Sequence, residues 1–593
     1  MGSRSTRIVD PITVSVIEGA LENIATEMGH KLMRMAYSSI IRESEDFGAA
    51  LVDERARQLC EAKQSTPLAS GPLPGCVAGI LRQLEKRGEQ VLPGDVFMHN
   101  DPYGGASHVP DVGFYVPVFF DSELVGFACT MSHHVDIGSY KPGSGGQINA
   151  SDAYAEGLQF KALKVYEQGE RNEQVWHFVR DNVRMPDVVI GDMEAEIAAA
   201  RIGADRYLEL IRQYGIATIR AACEASFDTA ERKMRAAISE LDDGDYTGTV
   251  RIDGFLDHPD PAYRDLPLQV TLKVRGEEIL ADLTGTAPQL PDKPINIPFR
   301  GSVDCAVWVA IRSVLLDSAI HGDIPQNAGL IRPITIVAPE GCLANPIFPA
   351  PTMCRYAGGI ALSDATMKAL SKIVPDKVSA GVGNGGGMVL GGATDHGDMW
   401  LHVELFEGSY GGRPGMDGMD AVDCLFANTR NNPIEDIESH NPLRIDRYEL
   451  RENVVPAGKW RGGIGTVKEF TMLANGSAAT ESDGHKHAPW GMLGGHDGVT
   501  RQTILQRLDG ERIDLPSKFD FLEYHLAAGD KLIALGPSGG GYGNPLEREP
   551  ELVLQDVLDE LITEAMARND YGVVITESGQ IDQAATERLR CAE

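Results

Sequence analysis

Residues 94–138 read GDVFMHNDPYGGASHVPDVGFYVPVFFDSELVGFACTMSHHVDIG. Four of the fifteen histidines fall here (His99, His108, His133, His134), interleaved with Asp95, Asp101, Asp111 and Asp136. Imidazole and carboxylate groups gathered at loop and strand ends are what a divalent metal with an open coordination position requires. The same residue types also serve as polar strand ends satisfied by backbone and water, so spacing alone leaves both readings open.

Hairpin geometry sorts these candidates. Residues 112–120 and 124–132 are rich in Val, Phe and Tyr, as strands are. Asp121, Ser122 and Glu123 form the expected turn between them. With that three-residue loop, Asp111 stands opposite His133, their Cβ atoms roughly 4.5–5.5 Å apart. Alternation then sets Phe127, Cys129, Met131 and His133 on one face and His134 and Asp136 on the other. His108, three residues before Asp111 and bent by Pro110, can fold back to the same spot. A two-residue loop would break this register and favour His134 instead.

The stretch HNDPYGGASHVPDV, followed by SHHVDIGSYKPGS, resembles the signature of the hydantoinase B/oxoprolinase family. These are the B-type subunits of ATP-dependent ring-opening amidohydrolases and related ketone carboxylases. The likeness continues in order through DNVRMPDVVIGDMEAEIAAARIG, NPIFPAPTMCR, WRGGIGTVKEF and GPSGGGYGNPLEREPELVLQDVLDELIT, nearly the whole chain. It implies a divalent metal, zinc or manganese, on His108, Asp111 and His133, the residues the hairpin selects. It also implies an A-type ATPase partner subunit, carrying ATP and Mg, that phosphorylates an amide or enolate oxygen. Metal-bound hydroxide on this chain would then attack the phosphorylated intermediate and open a hydantoin, lactam or 5-oxoproline ring. Asp46 resembles an acidic position of the family, as a fourth ligand or a base. Asp136 could take a proton or orient an imidazole, and His134 would face substrate or support a ligand. The alternatives are a ketone carboxylase subunit using bicarbonate and a non-catalytic scaffold subunit.

Composition agrees with such a role. The 593 residues exceed one core and call for two to four domains. A formal charge of −32, from 86 acidic and 54 basic residues, argues against nucleic-acid or anionic-membrane binding. Nine scattered cysteines without CxxC exclude a disulfide framework and a zinc-thiolate site. Cys129 reads as a small core residue. The start MGSRSTRIVD has no apolar stretch of a secretion signal, and no run approaches a membrane span, so a cytoplasmic protein is expected.

The fold expected is α+β and multidomain, with a metal-binding α/β N-terminal part and β-rich middle and C-terminal parts. Residues 1–242 form the catalytic part, with a helix from Pro11, a strand at 46–53 and helices at 187–214 and 217–242. Residues 243–340 alternate as a β-meander with a helix, 341–545 are Gly-rich and mainly β, and 546–593 are a helical tail. The Gly/Ser-rich loop after residue 140 carries Lys141, Gln147 and Glu156 as candidates to orient substrate. Asn428, Asn432 and Glu438 are further candidates in a Gly/Asn-rich region, with turn formation as their ordinary role. His485 and His487, two residues apart on one strand face, with His496 nearby, offer a second chelating set. No GxxxxGK[ST] is present, so ATP chemistry is assigned to the partner.

Overall fold

The structure, a computed structural model, describes residues 9–591 except 323 and 395. Most of MGSRSTRIVD, the stretch without the apolar run of a secretion signal, lies outside the described residues. Among the described residues no helix is long and apolar enough to cross a membrane.

The N-terminal part is a seven-stranded antiparallel sheet in the order β2-β1-β5-β4-β3-β6-β7. Its strands are β1 (Phe47–Val52), β2 (Gln58–Glu61), β3 (Val96–His99), β4 (Asp111–Phe120), β5 (Glu123–His133), β6 (Leu163–Glu167) and β7 (Glu170–Arg171). Helices cover both faces, so its central strands carry apolar residues on both sides. Helices Pro11–Met35 and Pro186–Tyr214 pack against Ala49, Leu51, Phe114 and Ala128. Helix Leu73–Arg87 packs against Ala50, Tyr115, Phe127, Cys129 and Met131. Helix Pro11–Met35 starts where the sequence predicts, with Pro at its first position and Asp10 accepting from the Thr13 N–H at 3.0 Å.

The central hairpin differs from expectation in its loop but not in its register. β4 and β5 pair from Asp111↔His133 to Val118↔Gly126, and then as Phe119↔Leu124 and Phe120↔Glu123. The turn is therefore Asp121-Ser122 alone, with φ of 49° and 67° at its two residues. Such a left-handed two-residue turn matches the twist of the flanking strands. Alone it would move every pair by one residue and bring His134 to the face of Asp111. The extra residue Val125 forms a bulge that restores the register.

The second sheet runs β11-β10-β9-β8, from β8 (Gly244–Gly254), β9 (Arg264–Arg275), β10 (Glu278–Asp282) and β11 (Ile334–Val337). Helices Asp304–Leu315 and Tyr356–Leu370 pack in its core. Residues 341–370, expected to open the third part, thus belong with the second. Their apolar side chains, such as Ile360, Leu362 and Ala365, complete the β8–β9 core. Gly248 lets the helix approach, since a Cβ there would stand 2.0 Å from the Ala365 carbonyl oxygen.

The C-terminal part holds two five-stranded sheets. The first comprises β12 (Gly386–Ala393), β13 (Met399–Phe406), β16 (Gly476–Glu481), β19 (Lys518–Phe519) and β20 (His525–Leu526). The other comprises β14 (Leu443–Leu450), β15 (Thr466–Met472), β17 (Gln502–Gln506), β18 (Arg512–Leu515) and β21 (Lys531–Leu535). Helices Pro550–Leu558, Glu564–Tyr571 and Gln583–Cys591 close the chain. All nine cysteines are free, eight of them buried, Cys129 included.

Candidate metal centre

Three neighbouring strands of the first sheet end together. Phe47 pairs with Ser132, and the His133 N–H donates to the Asp46 carbonyl oxygen at 3.2 Å. On the other side of β5, His133 pairs with Asp111. Alternation puts Asp46, His133 and Asp111 on the face that also carries Ala50, Met131 and Tyr115. The three side chains therefore form a row across β1, β5 and β4. His108 reaches the row from the turn before β4, where the Asp111 N–H donates to the His108 carbonyl oxygen at 3.2 Å.

The ligand-bearing atoms converge. His108 Nε2 is 2.9 Å from Asp111 Oδ1 and 3.2 Å from His133 Nδ1, and His133 Nδ1 is 3.1 Å from Asp111 Oδ1. Nitrogen and oxygen ligands about one cation stand roughly 3.0–3.5 Å apart when each bond is ~2.0–2.2 Å. The donor set fits a divalent cation, and among the described residues it is the only group of three such side chains to converge.

Outer contacts fix each ligand. His108 Nδ1 lies 2.9 Å from the Met353 carbonyl oxygen, an acceptor, so it carries the proton and leaves Nε2 as the ligand atom. His133 Nε2 lies 2.9 Å from Ser144 Oγ. Asp111 Oδ2 accepts from Ser107 Oγ and from Arg355 Nη2, the latter at 3.1 Å, which leaves Oδ1 for the cation. Burial favours neutral Asp111, but His108, His133 and Arg355 outweigh it and hold the carboxyl well below the usual range. Burial, aided by Arg355, pushes His108 down to about 4. For His133 burial works downward, yet the bond to Asp111 raises it. The imidazoles thus move in opposite directions around a shared carboxylate. Asp46 is pushed up to about 6, chiefly by burial, with His133 opposing and Asp111 reinforcing.

A cavity opens beside this row, lined by Asp46, His108, His133, Ser144, Arg355 and Glu481. Its far wall is one face of the β12–β13–β16 sheet, with Val389, Val403 and Leu405. The Gly/Ser-rich loop is wedged between the two sheets. A Cβ on Gly143 would stand 2.5 Å from Val389, and one on Gly146 2.7 Å from Ala479. Gln147 closes the loop on itself, donating to the Gly143 carbonyl oxygen at 3.0 Å, and Lys141 lies 3.8 Å from Asp520.

Other candidates go elsewhere. His134 faces helix Pro186–Tyr214, its Nε2 3.0 Å from Glu196 Oε1, which also accepts from Ser132 Oγ at 2.6 Å. Burial drives His134 down to about 4 and Glu196 well up, each toward its neutral form. Asp136 accepts from the backbone N–H and the Nη1 of Arg184, at 2.8 and 2.9 Å. Among the described residues neither side chain hydrogen-bonds to the row. Glu156 is fully buried and accepts from the N–H groups of Thr352 and Met353, both at 2.5 Å, so it holds the segment that orients His108. Asn428 takes a left-handed turn conformation, Asn432 is buried, and Glu438 accepts from the Ile445 N–H at 2.7 Å. His487 pairs with Asp265 at 2.9 Å, while His485 is packed between other polar groups, so the expected second chelating set does not form among the described residues.

Sequence reasoning missed Arg355, Ser144 and Glu481. Arg355 ends NPIFPAPTMCR and Ser144 sits in the Gly/Ser-rich loop, so both lie within conspicuous segments. Glu481 ends an ordinary strand and carries no local signal.

The family model for Hydantoinase B/oxoprolinase matches residues 10–545, and the chain belongs to that family. A chain assigned as the B-type subunit of a D-/L-hydantoinase from Pseudomonas sp. strain NS671 is 57% identical over 583 residues, 98% of each chain. The crystal structure of ATP-dependent caprolactamase from Pseudomonas jessenii superposes with a TM-score of 0.87 at 29% identity, covering 99% of this chain and 100% of that one. An acetone carboxylase structure superposes with the same TM-score of 0.87 at 19% identity, over 98% of this chain and 83% of that one, a likeness of fold.

Proposed function

We propose that this hydantoinase B/oxoprolinase family chain is the metal-bearing subunit of a two-component, ATP-dependent amidohydrolase that opens a cyclic amide such as a hydantoin, a lactam or 5-oxoproline. The observation that carries the reading is the convergence of His108 Nε2, Asp111 Oδ1 and His133 Nδ1 within 3.2 Å of one another beside a cavity. A zinc or manganese ion held by these three would supply Lewis acidity and lower the pKa of bound water.

The chain's own groups supply the rest. Asp46, titrating at about 6, is ionised at neutral pH and takes the proton of the attacking water on its carboxylate. Arg355 holds Asp111 from behind, and Met353 and Ser144 hold the two imidazoles. His134 and Asp136 act as positioning residues: His134 fixes the end of β5 to Glu196, and Asp136 fixes the segment after it to Arg184. The wedged loop and the β12–β13–β16 face exclude bulk water. The partner is an A-type ATPase subunit that binds ATP and Mg and phosphorylates the amide oxygen, the two chains forming a hetero-oligomer.

The test is co-purification with that partner and an assay of ATP consumption on hydantoins and lactams against ketones with bicarbonate. Ring opening with amide substrates is expected. Turnover of ketones alone, dependent on bicarbonate, would overturn the hydrolase reading in favour of the carboxylase, which the shared fold with acetone carboxylase keeps as the second reading.

A further inference from the structure

The cavity wall opposite the metal row carries a carboxyl group with an open valence. Glu481 ends β16 on the face that lines the cavity, and its Oε2 is buried with no hydrogen-bond partner among the described residues. Lys518, paired with it across β19, donates instead to Asp483 at 3.0 Å and to the Ser482 carbonyl oxygen at 3.1 Å, so it does not satisfy Glu481. Cys354 hydrogen-bonds to the Glu481 carboxyl, and Arg355, His133 and Lys518 are the charged or titratable groups that face it. Arg355 uses Nη2 on Asp111 and Ser107, while its Nε is also buried and unpaired. An unpaired buried acceptor and an unpaired buried donor thus adjoin one cavity, an arrangement that is costly unless a ligand completes it.

On the next strand the register that pairs Met388 with Thr480 sets Gly387 beside Glu481. Among the described residues a Cβ at Gly387 would meet only Glu481 within 4 Å, in ordinary van der Waals contact at 3.9 Å, so the position takes a small side chain without displacing its neighbours. Leu405, paired with Gly387 on the far side, supplies an apolar wall. A donor–acceptor edge over an apolar slot suits one chemical group well. In a small ring the amide is cis, so its N–H and its carbonyl oxygen lie along the same edge.

We propose that Glu481 is a substrate-binding residue that accepts the ring N–H of the cyclic amide, with Arg355 Nε donating to the adjacent oxygen and Gly387 leaving room for the ring and its substituent. This rests on the cyclic-amide reading above and assigns the substrate's orientation within that site.

The experiment uses the complex with the ATPase subunit, with hydantoin, 5-methylhydantoin and 2-pyrrolidinone as substrates. Glu481→Met keeps length and removes the acceptor, and Glu481→Gln restores an acceptor oxygen. The expected result is a KM raised tenfold or more in Glu481→Met and largely recovered in Glu481→Gln, at unchanged metal content. A wild-type KM in Glu481→Met, or no recovery in Glu481→Gln, would overturn the proposal. Should Glu481→Met fail to fold, Gly387→Val decides. It should lower kcat/KM more for 5-methylhydantoin than for hydantoin, and equal loss on both would overturn the assignment. If the wild-type complex opens none of the three rings, the cyclic-amide reading itself fails, a result distinct from any of these.

Discussion

Asp46 and His133 stand side by side at the ends of adjacent antiparallel strands, tied by a backbone hydrogen bond of 3.2 Å from the His133 N–H to the Asp46 carbonyl oxygen. Eighty-seven positions apart in the chain, they meet because the Phe47↔Ser132 register leaves each as the next residue beyond the pair. Asp46 is thereby held in the same row as the ligand carboxylate Asp111 without sharing its hydrogen bonds to Arg355 and Ser107.

Asp46→Asn separates proton transfer from metal binding. The carboxamide keeps the shape and removes the base, so kcat should fall on the order of 10²-fold or more with metal content unchanged. Metal analysis beside steady-state kinetics checks this, and loss of the metal would make Asp46 a ligand instead.

Val125 is the residue that restores the hairpin register. Its deletion leaves a regular two-residue hairpin in which Leu124 and Gly126 still pair with Phe119 and Val118, so Asp111 should stay opposite His133. The variant should fold and keep stoichiometric metal, as read by circular dichroism and elemental analysis. Loss of the metal would mean that the bulge itself, and not the register it sets, positions His133.

Glu156→Met tests the orientation of His108. The carboxyl accepts from two backbone N–H groups at once, and burial pushes it up to about 8. Methionine in its place removes the oxygen that accepts from both, leaving the two N–H groups unpaired. Metal affinity should drop by about 10–100-fold, the usual effect of removing an outer support, with the fold intact. Metal titration with a competing chelator measures it.

Acid should destabilise the protein through His99. Burial pushes this imidazole down to about 4, so the folded state stays neutral while the unfolded chain takes up a proton below about 6.5. Stability is therefore fully present above pH 6.5 and is lost as pH falls toward 4, by on the order of 3 kcal/mol from this group. Urea unfolding across that window should show a smaller pH slope in His99→Gln than in wild type.

Much of the site is legible in the sequence because the hairpin is local. Parity alone separates His133 from His134, and Pro110 explains how His108 folds back. The loop length is not legible in the same way: Asp-Ser in a left-handed two-residue turn carries no strong sequence mark, and a bulge at Val125 is invisible until the strands pair. Arg355 and Glu481 escape for a different reason. They reach the cavity from segments more than two hundred residues away, where only tertiary packing brings them to Asp111. The packing of helix Tyr356–Leu370 into the second core is not legible because the helix is apolar on nearly all sides, and its partner sheet cannot be read from its own pattern.

The most direct measurement is the metal content of the purified complex, wild type against His133→Ala, with ring-opening activity in parallel. Wild type should carry one divalent ion per chain, and His133→Ala should give a folded chain that lacks both the ion and the activity. A His133→Ala chain retaining full metal and full activity would contradict it.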